Sequence, residues 1–161
     1  MSTNEKKIAH FKTPLGIATI IGDENGISVI SIADEGAISE NIPVVLQDAV
    51  MQLQEYFEEK RINFDFKMNP KGTDFQQKVW QSLLEIPFGK TMSYLELSKK
   101  LGDVKAIRAV ASANGKNPLW IVVPCHRVIG TDGSLTGYAG GLWRKKWLLE
   151  HENPTNQQSL F

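Results

Sequence analysis

The chain has one cysteine, three histidines and no apolar stretch approaching the length of a membrane span. Each shortage removes a class of answers. A single thiol, Cys125, cannot close an internal disulfide, which excludes a secreted domain stapled by its own bridges. With only His10, His126 and His151 available beside that thiol, a dedicated zinc site is hard to assemble, and no metal or other cofactor is expected. A membrane helix needs roughly 18 successive apolar residues, and the opening "MSTNEKKIAHF" is too polar for a secretory signal, so no membrane partner and a cytoplasmic location are expected. What is present is ordinary: 161 residues, 42% hydrophobic and 22% charged, enough for one or two small domains with a core.

Formal charge is zero, 18 basic residues against 18 acidic, which at first argues against a polyanionic partner. The distribution argues for one. Residues 88–147 hold ten Lys or Arg against Glu96, Asp103 and Asp132, a surplus of +7 that the rest of the chain balances. A basic half joined to an acidic half is the asymmetry expected where one half meets a nucleic acid.

There is no internal repeat, and the first break falls at "MNPKGTD", residues 68–74. This predicts an N-terminal domain over 1–70, a second domain over 71–153 and a polar tail over 154–161. In the first, short β-branched runs alternate with the turn signals Pro14-Leu15-Gly16 and Asp23-Glu24-Asn25-Gly26, which predicts an antiparallel meander. Val45, Leu46, Ala49, Val50, Leu53, Tyr56 and Phe57 then recur at helical spacing, and Ile62, Phe64, Phe66 and Met68 alternate as a strand does. A small α/β layer is expected.

In the second domain Thr73 and Gln76 form a capping-box pattern ahead of a helix with Phe75, Val79, Trp80, Leu83 and Leu84 on one face. Ser93 and Glu96 open another helix, Gly102 ends it, and Asp103 caps a third with Val104, Ile107, Val110 and Ala111 inward. Helix, glycine turn, helix is the helix-turn-helix outline, with Lys105, Arg108 and Ser112 on the outer face. Short helix pairs also occur in any helix-rich domain, so the pattern alone leaves the matter open.

"LWIVVPCHRVIG" reads as a buried strand interrupted by Pro124, which cannot donate a ladder hydrogen bond. Neighbours in extended chain point to opposite faces, so Cys125 and His126 could meet only through a turn or a water. An inert buried thiol is the plain alternative, and Arg127 could simply snorkel to solvent.

Around the thiol, Pro124-Cys125-His126-Arg127-Val128 is followed by "GTDGSLTGYAGG" and "LWRKKWLLEHE". With "GKTMSYLELSKKLG" and "AIRAVASANGKNP", this run resembles the O6-alkylguanine-DNA alkyltransferases, also called methylated-DNA-protein-cysteine methyltransferases. The likeness covers residues 73 to 152 and is much weaker before them. It implies an α+β chain: a small ribonuclease-H-like α/β domain followed by a helical, winged helix-turn-helix domain that carries the reactive cysteine and binds DNA. It implies that Cys125 takes the alkyl group from O6 of a guanine, and from O4-alkylthymine as well, in a single irreversible turnover on double-stranded DNA, the protein acting as a monomer. By the same likeness His126 is the base, joined to the thiol through a water and oriented by Glu152. Tyr94 donates a proton to the departing guanine beside Lys145. Backbone carbonyls of Cys125 and Val128 read its amino group, the amide of Ala139 faces O6, and Tyr138 lines the pocket. Asn117 ties the helix pair to the cysteine segment. Arg108 is the wedge for a flipped base, with Ala109, Ser112 and Tyr94 at the DNA and small neighbours Ala111 and Ala113 permitting close approach. Trp120 stands where some relatives carry a smaller residue at the pocket rim, which by size alone disfavours bulky O6-benzyl groups.

Two other functions fit parts of the pattern. A helix-turn-helix regulator with a redox thiol would also use the basic half. A lesion sensor that binds alkylated DNA without repairing it belongs to the same likeness, but such proteins lack the cysteine that is present here. A cysteine hydrolase has no supporting signature.

Overall fold

A computed structural model describes residues 5–135, 138 and 140–154. It divides into two compact units, Met1–Lys71 with Pro118–Trp120, and Gly72–Asn117 with Ile121–Phe161. The chain is α+β, with a sheet and helix in the first unit and mainly helices in the second.

In the first unit β1 (Lys7–Thr13), β2 (Gly16–Asp23) and β3 (Gly26–Ala33) form an antiparallel meander in the order β1-β2-β3. Thr13 pairs with Gly16, which leaves Pro14-Leu15 as a two-residue loop. Ala9 lies opposite Ile20 and Phe11 opposite Ala18, all buried, so small and large side chains alternate across one face. The helix α1 (Val44–Phe57) packs on β1 and β2 and buries Leu46, Ala49, Val50, Leu53 and Tyr56.

The strand expected over 62–68 does not form. Only Met68 bridges to Ile27. The backbone N–H of Asp65 donates instead to the buried side chain of Gln52 at 3.0 Å, and Phe64 packs between Tyr56 and Phe66 at ring distances of 5.7 and 6.0 Å. The alternation thus reflects aromatic packing rather than a ladder. The outer edge of β3 is covered at two points, by Met68 on Ile27 and by Leu119 on Ile30, which removes an exposed strand edge. Gly26, at φ 127°, makes the first of these possible, since a Cβ there would lie 2.9 Å from the carbonyl oxygen of Lys67.

The second unit contains α2 (Asp74–Leu83), β4 (Met92–Ser93), α3 (Tyr94–Lys100), α4 (Ile107–Gly115), β5 (Val128–Ile129) and α5 (Leu142–Glu152). Both capping boxes are present: Thr73 with Gln76 opens α2 and Ser93 with Glu96 opens α3. The indole N–H of Trp80 on α2 donates to the carbonyl of Ala113 on α4 at 2.9 Å. Strands β4 and β5 pair in parallel, Met92 with Val128 and Ser93 with Ile129. This short pairing anchors the start of α3 to the chain that leaves the cysteine.

Between α3 and α4 the chain turns at Gly102, φ 93°, and the Asp103 carboxylate accepts from the N–H of Lys105 at 2.9 Å. A single 3₁₀ turn, Val104–Ala106, then leads into α4. That tighter turn changes the rotational phase. Val104, expected inward, is 47% exposed, and the inner face of α4 is Val110, Ala113 and Asn114. Phe75, expected on the buried face of α2, is 39% exposed. Replacing Gly102 by Ala is expected to lower stability in urea unfolding by about 1–2 kcal/mol, because the backbone there is left-handed and nothing crowds a Cβ.

Candidate active site

The apolar run before the cysteine is core, but it is not a strand. Ile121 is buried with φ 71°, a left-handed conformation that is strained for a β-branched residue. At Pro124 (φ −82°, ψ 64°) the chain makes an inverse γ-turn, the N–H of Cys125 donating to the carbonyl of Val123 at 2.8 Å. Cys125–Arg127 then form one 3₁₀ turn, and only Val128–Ile129 is extended. The imino nitrogen of Pro124 could not have joined a ladder, and the side chains are apolar because they are enclosed. Continuous burial reads alike for strand and loop.

Behind this turn lies a buried cluster. The Glu152 carboxylate, at the end of α5, accepts from Nε2 of His126 at 2.7 Å and from Nε and Nη2 of Arg127 at 2.8 and 3.0 Å. Arg127 also donates from Nη1 to the carbonyl of Ile86 at 2.7 Å, and its guanidinium lies over the Phe88 ring at 5.8 Å. It is buried and does not reach solvent as a snorkelling side chain would. Burial opposes ionisation of Glu152, but the charges and hydrogen bonds of His126 and Arg127 prevail and hold its carboxyl well below the usual carboxylate range. Burial pushes His126 below its ordinary value of 6.5 despite the Glu152 carboxylate, assisted by the charges of Arg127 and Lys145. The imidazole is therefore neutral at neutral pH. Since a carboxylate only accepts, Nε2 carries the hydrogen and Nδ1 is the basic nitrogen. Nδ1 is buried and has no hydrogen-bond partner among the described residues.

Burial also pushes the Cys125 thiol up, while the nearby polar side chain of Asn117, the charge of Lys145 and the nearby polar side chain of Tyr138 pull it back. Lys145 is fully buried on α5, and that burial brings its ammonium down to about 8 against the opposing attraction of Cys125. The side chain of Asn117 donates to the carbonyl of Val123 at 2.7 Å, which fixes the turn just ahead of the thiol. Cys125, His126, Glu152, Lys145, Asn117 and Tyr138 therefore act on one another as a connected set.

Tyr94 opens α3, half-buried. Arg108, Ala109 and Ser112 are exposed on the outer face of α4, beside Lys105. Ala113 is buried and Ala111 half-buried, so only part of the expected small-residue surface faces out. Val128 is buried and its side chain is core. Trp120 belongs to the first unit, buried with its ring 6.2 Å from that of Phe57. Ala139 and residues 155–161 of the tail lie outside the described residues.

Two residues escaped the sequence reading. Asn114 is 2% exposed and sends Nδ2 toward both the Tyr94 hydroxyl, 3.4 Å, and the Cys125 carbonyl, 3.5 Å. Its place four residues after Val110, on an otherwise apolar face, is the signal that could have found it. Arg127 has no comparable signal, because its carboxylate partner is 25 residues away in the chain.

Residues 74–154 match the family described as the DNA-binding domain of 6-O-methylguanine DNA methyltransferase, and residues 7–70 match its ribonuclease-like domain. The methylated-DNA–protein-cysteine methyltransferase of Methanosarcina acetivorans is 43% identical over 151 residues, covering 89% of this chain and 96% of that protein. The corresponding protein of Mycobacterium tuberculosis is 42% identical over 151 residues, with 89% and 92% covered. A crystal structure of the M. tuberculosis O6-methylguanine methyltransferase superposes with a TM-score of 0.83 at 40% identity, covering 93% of this chain and 94% of that one. A structure of M. tuberculosis OGT in complex with DNA gives 0.83 at 40% identity, with 95% and 94% covered. With both domains matched in order and the similarity running through the cysteine cluster, the chain belongs to the methylated-DNA–protein-cysteine methyltransferase family.

Proposed function

We propose that the protein repairs double-stranded DNA in the cytoplasm, as a monomer, by moving the alkyl group of O6-alkylguanine to Sγ of Cys125. The observation that carries this reading is a buried thiol followed by a neutral histidine whose far nitrogen is held by a buried carboxylate. That arrangement removes a proton from sulfur without requiring a permanently charged thiolate.

The reaction is one displacement. Nδ1 of His126 takes the thiol proton through a water, sulfur attacks the carbon bound to O6, and the carbon–oxygen bond breaks. The guanine leaves with the electron pair and is protonated at a ring nitrogen by Tyr94. His126 then holds the proton from sulfur and Tyr94 has given one to the base. Passage of a proton from the imidazolium to the phenolate through solvent restores both, so the net change is a thiol and an alkylated guanine converted to a thioether and guanine. A thioether has no ready leaving group, so each molecule acts once. Lys145 stabilises the negative charge as it passes from sulfur to the departing base. The carbonyls of Cys125 and Val128 and the amide of Ala139 would read the guanine edge, and O4-alkylthymine would enter by the same route.

A paired base cannot reach an enclosed sulfur, so the nucleotide must leave the stack, at a cost of a few kcal/mol that a damaged pair lowers. Arg108, exposed on α4, would occupy the vacated space, and the exposed Ala109 and Ser112 on the same helix would allow close approach.

Mixing the protein with an equal amount of duplex carrying one O6-methylguanine should add one methyl group to the tryptic peptide containing Cys125, by mass spectrometry. Cys125→Ala should bind the duplex and remain unmodified; transfer surviving in that variant would overturn the assignment.

The single-turnover rate constant should stay level from below pH 6.5 to near pH 8, because His126 is neutral across that window. It should fall above about 8 as Lys145 loses its charge. Lys145→Met should slow transfer and abolish the alkaline limb while leaving the acid limb in place.

Glu152→Gln leaves the buried Arg127 without a counter-charge and should cost about 3–5 kcal/mol at neutral pH. In the unaltered protein, acidification should weaken the fold in two steps. Below 6.5 the unfolded chain takes up a proton that folded His126 refuses. Below 4.5 it protonates a carboxylate that the fold holds ionised. Stability curves against pH should therefore converge with those of Glu152→Gln in acid.

A further inference from the structure

We propose that Asn114 is a positioning residue that turns the hydroxyl of Tyr94 into a proton donor toward the lesion base. The inference rests on the alkyl-transfer reading above and assigns a new residue to it.

Asn114 is a polar side chain on the buried face of α4, between the hydroxyl that opens α3 and the carbonyl of the reactive cysteine. Its Nδ2 lies 3.4 Å from Tyr94 Oη and 3.5 Å from the carbonyl oxygen of Cys125. Its Oδ1 is buried with no hydrogen-bond partner among the described residues. Packing volume alone does not explain an amide here, since an orphaned buried acceptor carries a desolvation cost that leucine would avoid.

The orientation of the amide follows from its neighbours. The Cys125 carbonyl can only accept, so the Asn114 atom facing it must be the NH₂ nitrogen, and the opposite orientation would set two oxygens against each other. That same nitrogen faces Tyr94 Oη. The Tyr94 oxygen therefore accepts from Asn114, and a hydroxyl that accepts from one side directs its own hydrogen elsewhere. Without Asn114 that constraint on the direction of the hydroxyl hydrogen is lost. With it, the hydrogen is aimed away from the protein amide, toward the base that must be protonated as it leaves. Both contacts are long, as expected for a site that closes on its substrate.

The test compares two electrophiles on the full-length protein. With a duplex containing O6-methylguanine, Asn114→Leu should slow single-turnover transfer by about 10- to 100-fold, and by no more than Tyr94→Phe does. With methyl iodide, whose leaving group needs no proton, Cys125 should be methylated at the rate of the unaltered protein. In the Tyr94→Phe background, Asn114→Leu should cause no further slowing with the duplex, because the two act through one proton. Asn114→Asp keeps the shape but presents oxygens that accept from Tyr94, and should slow the duplex reaction at least as much. Equal slowing with methyl iodide, full additivity with Tyr94→Phe, or unchanged duplex rates in both Asn114 variants would each overturn the proposal. Failure of the unaltered protein to accept a methyl group from the duplex would instead overturn the alkyl-transfer reading on which it stands.

Discussion

The carboxylate of Glu152 gathers three parts of the second unit around one pair of oxygens: the 3₁₀ turn of His126 and Arg127, the loop at Gly89, and the end of α5 itself. Enclosing a charge there is costly, and the two ionic partners compensate only because each oxygen receives more than one donor. The arrangement does more than hold the chain together. The charge of the carboxylate alone favours protonation of the ring. Arg127 neutralises that carboxylate, and together with burial it keeps His126 uncharged while Glu152 still fixes which nitrogen bears the hydrogen. The arginine that the sequence pattern offered as a solvated side chain thus adds to burial in keeping the histidine uncharged and able to accept a proton.

The same logic resolves a tension at the thiol. A nucleophile needs its anion, yet Cys125 is buried and its thiol is pushed up. A sulfur held neutral until its proton has somewhere to go is protected from other electrophiles and oxidants, and the anion, once formed, is poorly solvated and strongly nucleophilic. Lys145 and the neighbouring polar groups of Asn117 and Tyr138 limit how far burial can suppress it. The backbone contributes the placement. Strain at Ile121, the γ-turn at Pro124 and the Asn117 bond to Val123 bring the chain into a 3₁₀ turn, which gives successive side chains separate directions without a strand's strict alternation.

Local signals proved readable wherever the physics was local. The meander followed from β-branched runs and two-residue turns, and both capping boxes and the Gly102 stop were set by residues within a few positions of one another. The segment 62–68 and the run before Cys125 were misread for a common reason: alternation and continuous apolarity report burial, and burial does not say where the backbone hydrogen bonds go. Gln52, thirteen residues from Asp65, decided the first case, and Pro124 the second. Among site residues, those in the thiol motif were visible as a likeness to a family. Asn114 and the partners of Arg127 were not, because their meaning depends on atoms brought close only by folding.

Charge carries the same lesson. Of the ten basic residues between 88 and 147, Arg127, Arg144 and Lys145 are buried. Arg127 neutralises a carboxylate and Lys145 acts on a thiol. Arg144 packs over Trp143 at 4.5 Å and donates to the carbonyl of Gly140 at 2.9 Å, at the entry to α5. These three cannot meet phosphates. The outward charge left to steer a polyanion lies on Lys90, Lys99, Lys100, Lys105, Arg108, Lys116 and Lys146, all exposed, and Lys100 is partly offset by Glu85 at 3.3 Å. The basic surplus seen in the sequence is therefore two populations. One is a modest, salt-sensitive surface that can bring DNA near without reading its sequence. The other is an enclosed set in which Lys145 bears on the thiol and, with Arg127, on its histidine, where counter-ions cannot screen them.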